Sequence, residues 1–367
     1  MTARLLAFAS TGRAMLWAAC GGLLAAMPGC SRCTPQASGP ATVSDTGAEA
    51  ARSLTGPSAP DRATEAGTHA AARRASTPAC LAGAAFDPSE DAAVLEVMRT
   101  AEVVRISRGS GGGTLGFKVT LTGGQRAYFK PDQSPARGHA HGEISAFHLD
   151  RLLGLCRASP VTGRRLPVAL LRSAAPNHEQ LKLLKIDADG LVRGALIAWI
   201  EGDLRPLGVV PEWLACLRAP AAPARSPFKG FDVRESTPCE PPPDHLLDAL
   251  HDLVVFDYLI ANVDRWSAAK TNLLALSDTG PLLLFDHGEA FWRAHFVVRN
   301  ERQLDFVGAP RPALASRLMN LDLKSLRLRL ADDPLAPVLD AHLLEGLRLR
   351  LAALRARAAT PRAGTEI

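Results

Sequence analysis

Hydrophobic and polar positions become dense and periodic from about Phe86. VVRISRGSGGGTLGFKVTL and QRAYFK set β-branched and aromatic residues in alternation around a glycine-rich turn, the pattern of strands with one buried face. HGEISAFHLDRLLGL then changes period. Its Ile144, Phe147, Leu152 and Leu155 recur at helical spacing, with Gly154 near the stop. LLKI, an Asp189-Gly190 turn and GALIAWIEG, ending at Gly202, predict a return to strand. The stretch from LRAPAAPARSPFKG to ESTPCEPPP reads as a proline-rich insertion between elements. DHLLDALHDLVVFDYLI predicts a long helix with Asp244 as N-cap and Leu246, Leu247, Leu250, Leu253 and Val254 on one stripe. Polar ANVDRWSAAKT breaks it. NLLAL and PLLLF, separated by SDTG, predict a hairpin whose second strand runs into Asp286-His287-Gly288. Leucine-rich stretches in the last third predict helices with their arginines on solvated faces, and no internal repeat is visible.

The N-terminal pattern differs. Arg4 and Arg13 precede an almost uncharged run from Ala14 to Cys30, the layout of a signal peptide. That run is shorter than the roughly 18 to 20 residues a spanning helix needs. Gly29-Cys30 resembles a bacterial lipoprotein cleavage site, where Cys30 becomes a lipid-bearing N-terminus; Met27 and Pro28 fit that pattern imperfectly, and simple cleavage nearby is the alternative. From Ser31 to about Ala79 the chain is Ala, Ser, Thr, Pro and Gly with hardly a large apolar residue, a composition that cannot bury enough surface to order itself. The organisation expected is a signal peptide over 1–29, a tether over 30–85, a strand-rich lobe over 86–200, a mostly helical lobe over 201–357 and a tail over 358–367.

With 47% hydrophobic and 22% charged residues in 367, the chain has material for one large core or two lobes. Its net charge of +5 is spread along the chain as arginine, without the basic and aromatic blocks of nucleic-acid binders, which argues against a nucleic-acid partner. Of seven cysteines, Cys80, Cys156, Cys216 and Cys239 suffice for two disulfides in an oxidising compartment. Buried free thiols are the alternative, and spacing leaves the connectivity open.

The chemistry gathers around two aspartates. Asp264 sits in the polar loop after the long helix, and Asp286 follows the hairpin and precedes a glycine by two positions. Phosphoryl transfer needs two carboxylates so related, one to orient or deprotonate the attacking hydroxyl and one to hold the divalent ion that neutralises phosphate charge. Each alone is more simply a turn aspartate. Upstream, Lys130 ends the strand QRAYFK and Glu143 opens the next helix, as expected if the lysine steadies nucleotide phosphates and the glutamate pairs with it or binds metal. Singly they read as a snorkelling lysine and a first-turn glutamate favoured by the helix dipole. The order of the set is what points to a bilobal kinase. Gly111, Gly112 and Gly113 are candidates to cover the phosphates, although GSGGGTLG lacks the GxxxxGK[ST] phosphate loop. His178-Glu179 is followed at 182 by lysine where a zinc-protease helix requires histidine, and no GxSxG nucleophile elbow is present. His139 and His141 fall in a turn before Glu143 and read as surface residues.

At these residues the sequence resembles the secretory-pathway atypical kinase family that includes the Golgi casein kinase, the glycosaminoglycan xylose kinase and Four-jointed. The likeness lies in GEISAFHLDRLLGLCRASPVTGR, LLDALHDLVVFDYLIANVDRW and LLLFDHGEAF, and covers roughly 103–295. It implies an α+β, bilobal protein-kinase-like fold, ATP with Mn or Mg, export, and transfer to a hydroxyl of a protein or glycan. It implies Lys130 as phosphate lysine, Glu143 as helix glutamate, Asp264 as catalytic aspartate and Asp286 as metal aspartate. Departures are visible. The position five residues after Asp264, often a second-metal asparagine, is Ala269; the nearest asparagine, Asn272, is eight residues on, which weakens such a role for it. No cysteine follows Cys239, so the family's C-terminal disulfides are missing. Competing readings are a phosphatidylinositol 3-/4-kinase-like or HipA-like kinase, which also use an Asp-Arg loop and an Asp-x-Gly motif, and a lipid-tethered nucleotide-binding pseudokinase.

Overall fold

The computed structural model describes residues 78–110, 113–134, 139–266, 272–277, 280–291 and 295–360. The expected signal peptide, Cys30, most of the tether, Gly111, Gly112 and Ala269 lie outside them.

A helix, α1 (Asp91–Thr100), precedes the first strand and buries Leu95 and Met98. The strands β1 (Val103–Arg108), β2 (Phe117–Leu121) and β3 (Arg126–Pro131) are followed by α2 (Ala140–Leu153), β4 (Val161–Pro167), α3 (Val168–Ala174) and β5 (Leu191–Ala198). They form an antiparallel sheet in the order β1-β2-β3-β5-β4. Alternation along β3 turns Ala127 and Phe129 into the core and leaves Tyr128 and Lys130 on the other face. Helix α2 is buried almost all round and ends on Gly154, whose φ of 67° is the left-handed cap expected of a glycine.

The second part of the chain supplies β6 (Leu204–Pro206), α4 (Pro211–Cys216), α5 (Asp244–Ile260), β7 (Leu273–Leu276) and β8 (Leu282–Leu284). Helices α6 (Val298–Val307), α7 (Pro312–Asn320), α8 (Leu323–Ala331) and α9 (Ala341–Ala359) follow. The expected hairpin is present: β7 pairs antiparallel with β8, and β6 with β7. A parallel bridge between Ala158 and Leu284, with Leu284 N donating to Arg157 O, joins the hairpin to the turn after α2. This link brings the residues after β8 to the N-terminal end of α2.

Several expectations are corrected. Asp244 is the first helical residue of α5, and Pro243 occupies the cap position without a side-chain bond. The end of the expected tether is part of the folded body. Cys80 is disulfide-bonded to Cys156, Leu81 N donates to Gly154 O, and Arg157 donates to the carbonyls of Ala82 and Gly83. The other pair is Cys216–Cys239, so all four candidate cysteines are oxidised. The proline-rich insertion contributes to the core through Phe228, whose ring lies 4.7 Å from that of Trp266 and 5.4 Å from that of Phe306. Nor do all the late arginines face solvent. Arg350 on α9 is 1% exposed and donates to the carbonyls of Leu259 and His295.

Candidate active site

Three segments converge on one lysine. Lys130 Nζ stands 2.5 Å from Glu143 Oε1 and 2.6 Å from Asp286 Oδ1, joining β3, the first turn of α2 and the residues after β8. Burial alone would pull the Lys130 ammonium down, but the carboxylates of Asp286 and Glu143 more than reverse this and hold it above the ordinary lysine range. Glu143 is 3% exposed. Burial pushes its carboxyl up; Lys130 and His287 outweigh that and keep it well below the usual carboxylate range. His287 binds it twice, with its backbone N–H 3.0 Å from Oε1 and its Nδ1 3.3 Å from Oε2.

Local sequence explains the approach. Gly142 lies against the His287 carbonyl oxygen, and a Cβ there would overlap it, so glycine lets α2 close onto the Asp286 segment. His139 N donates to Gly288 O, and Ala140 N to Asp132 Oδ1, fixing the entry to α2 from both sides. His141, expected in a turn, is in that first helical turn. Asp286 itself takes a φ of 56°, an uncommon left-handed conformation for a non-glycine residue.

Asp264 lies in the loop after α5, exposed, its N–H bonded to Asn262 Oδ1 at 3.3 Å. Its neighbour Arg265 turns inward and is fully buried. The guanidinium is held by Asp257 of α5, with Nε 3.1 Å from Oδ2, and Nη1 donates to Asn272 O at 3.1 Å and to Phe285 O. One residue therefore links the neighbour of Asp264 to the neighbour of Asp286. Asn272 is engaged here through its backbone carbonyl. Asn300 of α6 donates to Asn262 O at 2.8 Å and supports the same loop from below.

The glycine-rich turn is anchored over the β3 face. Gly109 N donates to Gly116 O, and both glycines lie against the Tyr128 hydroxyl where any Cβ would collide. Gln133 closes the turn by accepting from Leu115 N at 3.0 Å and donating to Leu115 O at 2.9 Å. Gly113 is exposed, and its carbonyl accepts from Gln180. Arg265, Asp257, Tyr128 and Gln133 were not singled out by the sequence. Arg265 carried a signal, an arginine directly after the loop aspartate; the others act through partners far away in the chain.

Two carboxylates on rigid supports, Asp286 and Glu143, with a lysine between them, are a donor set for a hard divalent cation and anionic phosphates. The family described as Golgi casein kinase, C-terminal, Fam20 matches residues 86–188. Over this part of its length the chain is similar to the secretory-pathway atypical kinase family. It is 32% identical over 212 residues to the glycosaminoglycan xylosylkinase of Danio rerio, covering 48% of this chain and 51% of that protein. It is 28% identical over 295 residues to the Homo sapiens glycosaminoglycan xylosylkinase, covering 68% and 70%. The chain thus spans about half the length of its zebrafish relative. Among solved structures, the Golgi casein kinase with Mn/ADP bound superposes with a TM-score of 0.53 at 21% identity, covering 74% of this chain and 76% of that one. The fold is the bilobal, α+β kinase-like fold of that structure.

Proposed function

We propose that this secretory-pathway kinase relative is an active ATP-dependent phosphotransferase that acts outside the cytoplasm on a hydroxyl of a protein or glycan. The observation that carries the reading is Lys130 held between Glu143 and Asp286, because no part of the packing requires three charged groups from three distant segments to meet. Asp286 and Glu143 would hold a divalent ion, Mn or Mg, which when bound neutralises charge on the phosphates of ATP. Lys130 pairs with phosphate oxygens, and the glycines Gly111 to Gly113 of the glycine-rich segment cover them. Asp264, exposed and not drawn into an ion pair with Arg265, is placed to accept the proton of the acceptor hydroxyl. Arg265 sets the distance between the two aspartate-bearing segments. Two disulfides and the secretory-pathway relatives support export, and Cys30 as a lipid anchor extends that proposal. Among the described residues no helix is long and apolar enough to cross a membrane.

The test uses the full chain, labelled ATP with Mn, and an envelope extract as acceptor. Wild type should shift its melting temperature with Mn and ATP and label a protein or glycan. Asp286→Ala should lose both responses, whereas Asp264→Ala should keep the shift and lose the transfer. Labelling unaffected by Asp264→Ala would remove that residue from its role. A nucleotide shift without transfer by wild type to any acceptor would instead make the chain a binding module.

A further inference from the structure

Away from Lys130, two histidines distant in sequence meet on the helical side of the molecule. His295 lies just before α6 and His342 in the first turn of α9; Nε2 of the first is 3.3 Å from Nδ1 of the second, and the ring centroids are 4.5 Å apart. The position of His295 is set by buried contacts. Its carbonyl accepts from Arg350 Nη1 at 2.7 Å, and Arg350 is itself fixed by its Nε bond to Leu259 O at 2.8 Å. Its Cα and ring lie over Gly346 of α9, where a Cβ would stand 3.6 Å and 3.4 Å from them. The two rings are thereby held together before any ligand arrives.

Two imidazole nitrogens at this separation share either one proton or one cation. Zinc bonds of about 2.0–2.1 Å to nitrogens 3.3 Å apart subtend about 105–110°, a tetrahedral angle. Glu345 lies one turn on from His342 on the same face. Its carboxylate is now paired with Arg348 at 2.6 Å, in a pair open to solvent on both sides, so exchanging that partner for a cation costs little. Among the described residues no three ligating side chains already stand in one array, so the third ligand comes by rotation of Glu345.

We propose that His295, His342 and Glu345 form a zinc-binding site, with water as the fourth ligand, that staples the segment following Asp286 to α9. Imidazole ligands favour zinc over Mg and Mn, so the site differs in chemistry from the carboxylate pair Asp286 and Glu143. The site is independent of phosphotransfer.

Chelator-treated full chain carrying Asp286→Asn, which weakens cation binding at the active site, is titrated with zinc against a chromophoric chelator. One zinc per chain is expected, weakened at least about tenfold by His342→Ala and by His295→Ala, and less by Glu345→Gln. Magnesium should not compete. Absence of zinc binding, or binding unchanged in the two histidine variants, would overturn the proposal. Should His295→Ala fail to fold, His342→Ala decides alone, since that ring is exposed.

Discussion

Arg265 donates to both oxygens of the Asp257 carboxylate, Nε lying 3.2 Å from Oδ1 and 3.1 Å from Oδ2, while both residues are almost entirely buried. A buried pair of this kind costs desolvation and is only modestly stabilising as a whole, but breaking it strands a charge. Its use is positional. The free end of the guanidinium reaches the Phe285 carbonyl, so the α5 end, the Asp264 loop and the approach to Asp286 move as one.

Arg265→Ala should therefore lower stability by about 3–5 kcal/mol through the stranded Asp257 carboxylate. Arg265→Lys keeps the charge and loses the planar fork, and should fold while transferring phosphate on the order of a hundredfold more slowly. Urea unfolding and labelled-ATP turnover, compared with melting shifts by Mn and ATP, separate the two effects. A lysine variant with normal turnover would mean that the guanidinium does not set the spacing.

Gly142→Ala gives a clear sign. Helix propensity by itself favours alanine by about 1 kcal/mol. The contact with the His287 carbonyl opposes it, and overpacking of this kind costs about 1–3 kcal/mol. Net destabilisation with loss of transfer is expected, because Glu143 is the next residue and shifts with the helix. Stabilisation in a urea titration would show that the contact yields easily.

The two disulfides close chain segments of different length, 76 residues for Cys80–Cys156 and 23 for Cys216–Cys239. Chain-entropy arguments assign them about 4 and about 3 kcal/mol respectively. Cys80→Ser with Cys156→Ser should depress the melting temperature more than Cys216→Ser with Cys239→Ser. It should also release residues 78–85 to proteolysis, which mass spectrometry of a limited digest would detect.

Stability should fall as the solution is acidified below about pH 6.5. Burial, reinforced by Arg329, Arg99 and Arg151, lowers His148 to about 3. Burial and His139, opposed by Asp340 and reinforced by Lys185 and Arg193, lower His141 to about 4. Both rings are held neutral in the fold while the unfolded chain takes up protons near pH 6.5. The unfolded state then binds more protons, and each ring removes about 1.4 kcal/mol per pH unit between 6.5 and its folded value. Urea midpoints at pH 7, 6 and 5 should drop less steeply for His141→Gln than for wild type, with the curves parallel above pH 7. Equal slopes would show that His141 takes up a proton in the fold as readily as out of it.

The periodic sequence made the main elements legible. The alternation around Lys130, the helical spacing from Ile144 onward and the stripe through Leu250 and Val254 predict a strand and two helices, and the structure keeps them as β3, α2 and α5, with both helices buried nearly all round. Helix α1 escaped because only Leu95 and Met98 are buried in it, too little periodicity to register. Lys130, Glu143 and Asp286 could be named from their order along the chain, since residue type and local setting are properties of sequence.

What only tertiary structure decided is who meets whom. That Lys130 touches both carboxylates follows from the sheet register and the bridge between Ala158 and Leu284. The pairing of four cysteines follows from which loops pack together. Arg265 and Arg350 are buried because carbonyl and carboxylate partners far along the chain satisfy them, and no local pattern encodes such partners. A sequence alone states its local preferences and its chemical groups; distances between groups exist only once the backbone has closed on itself.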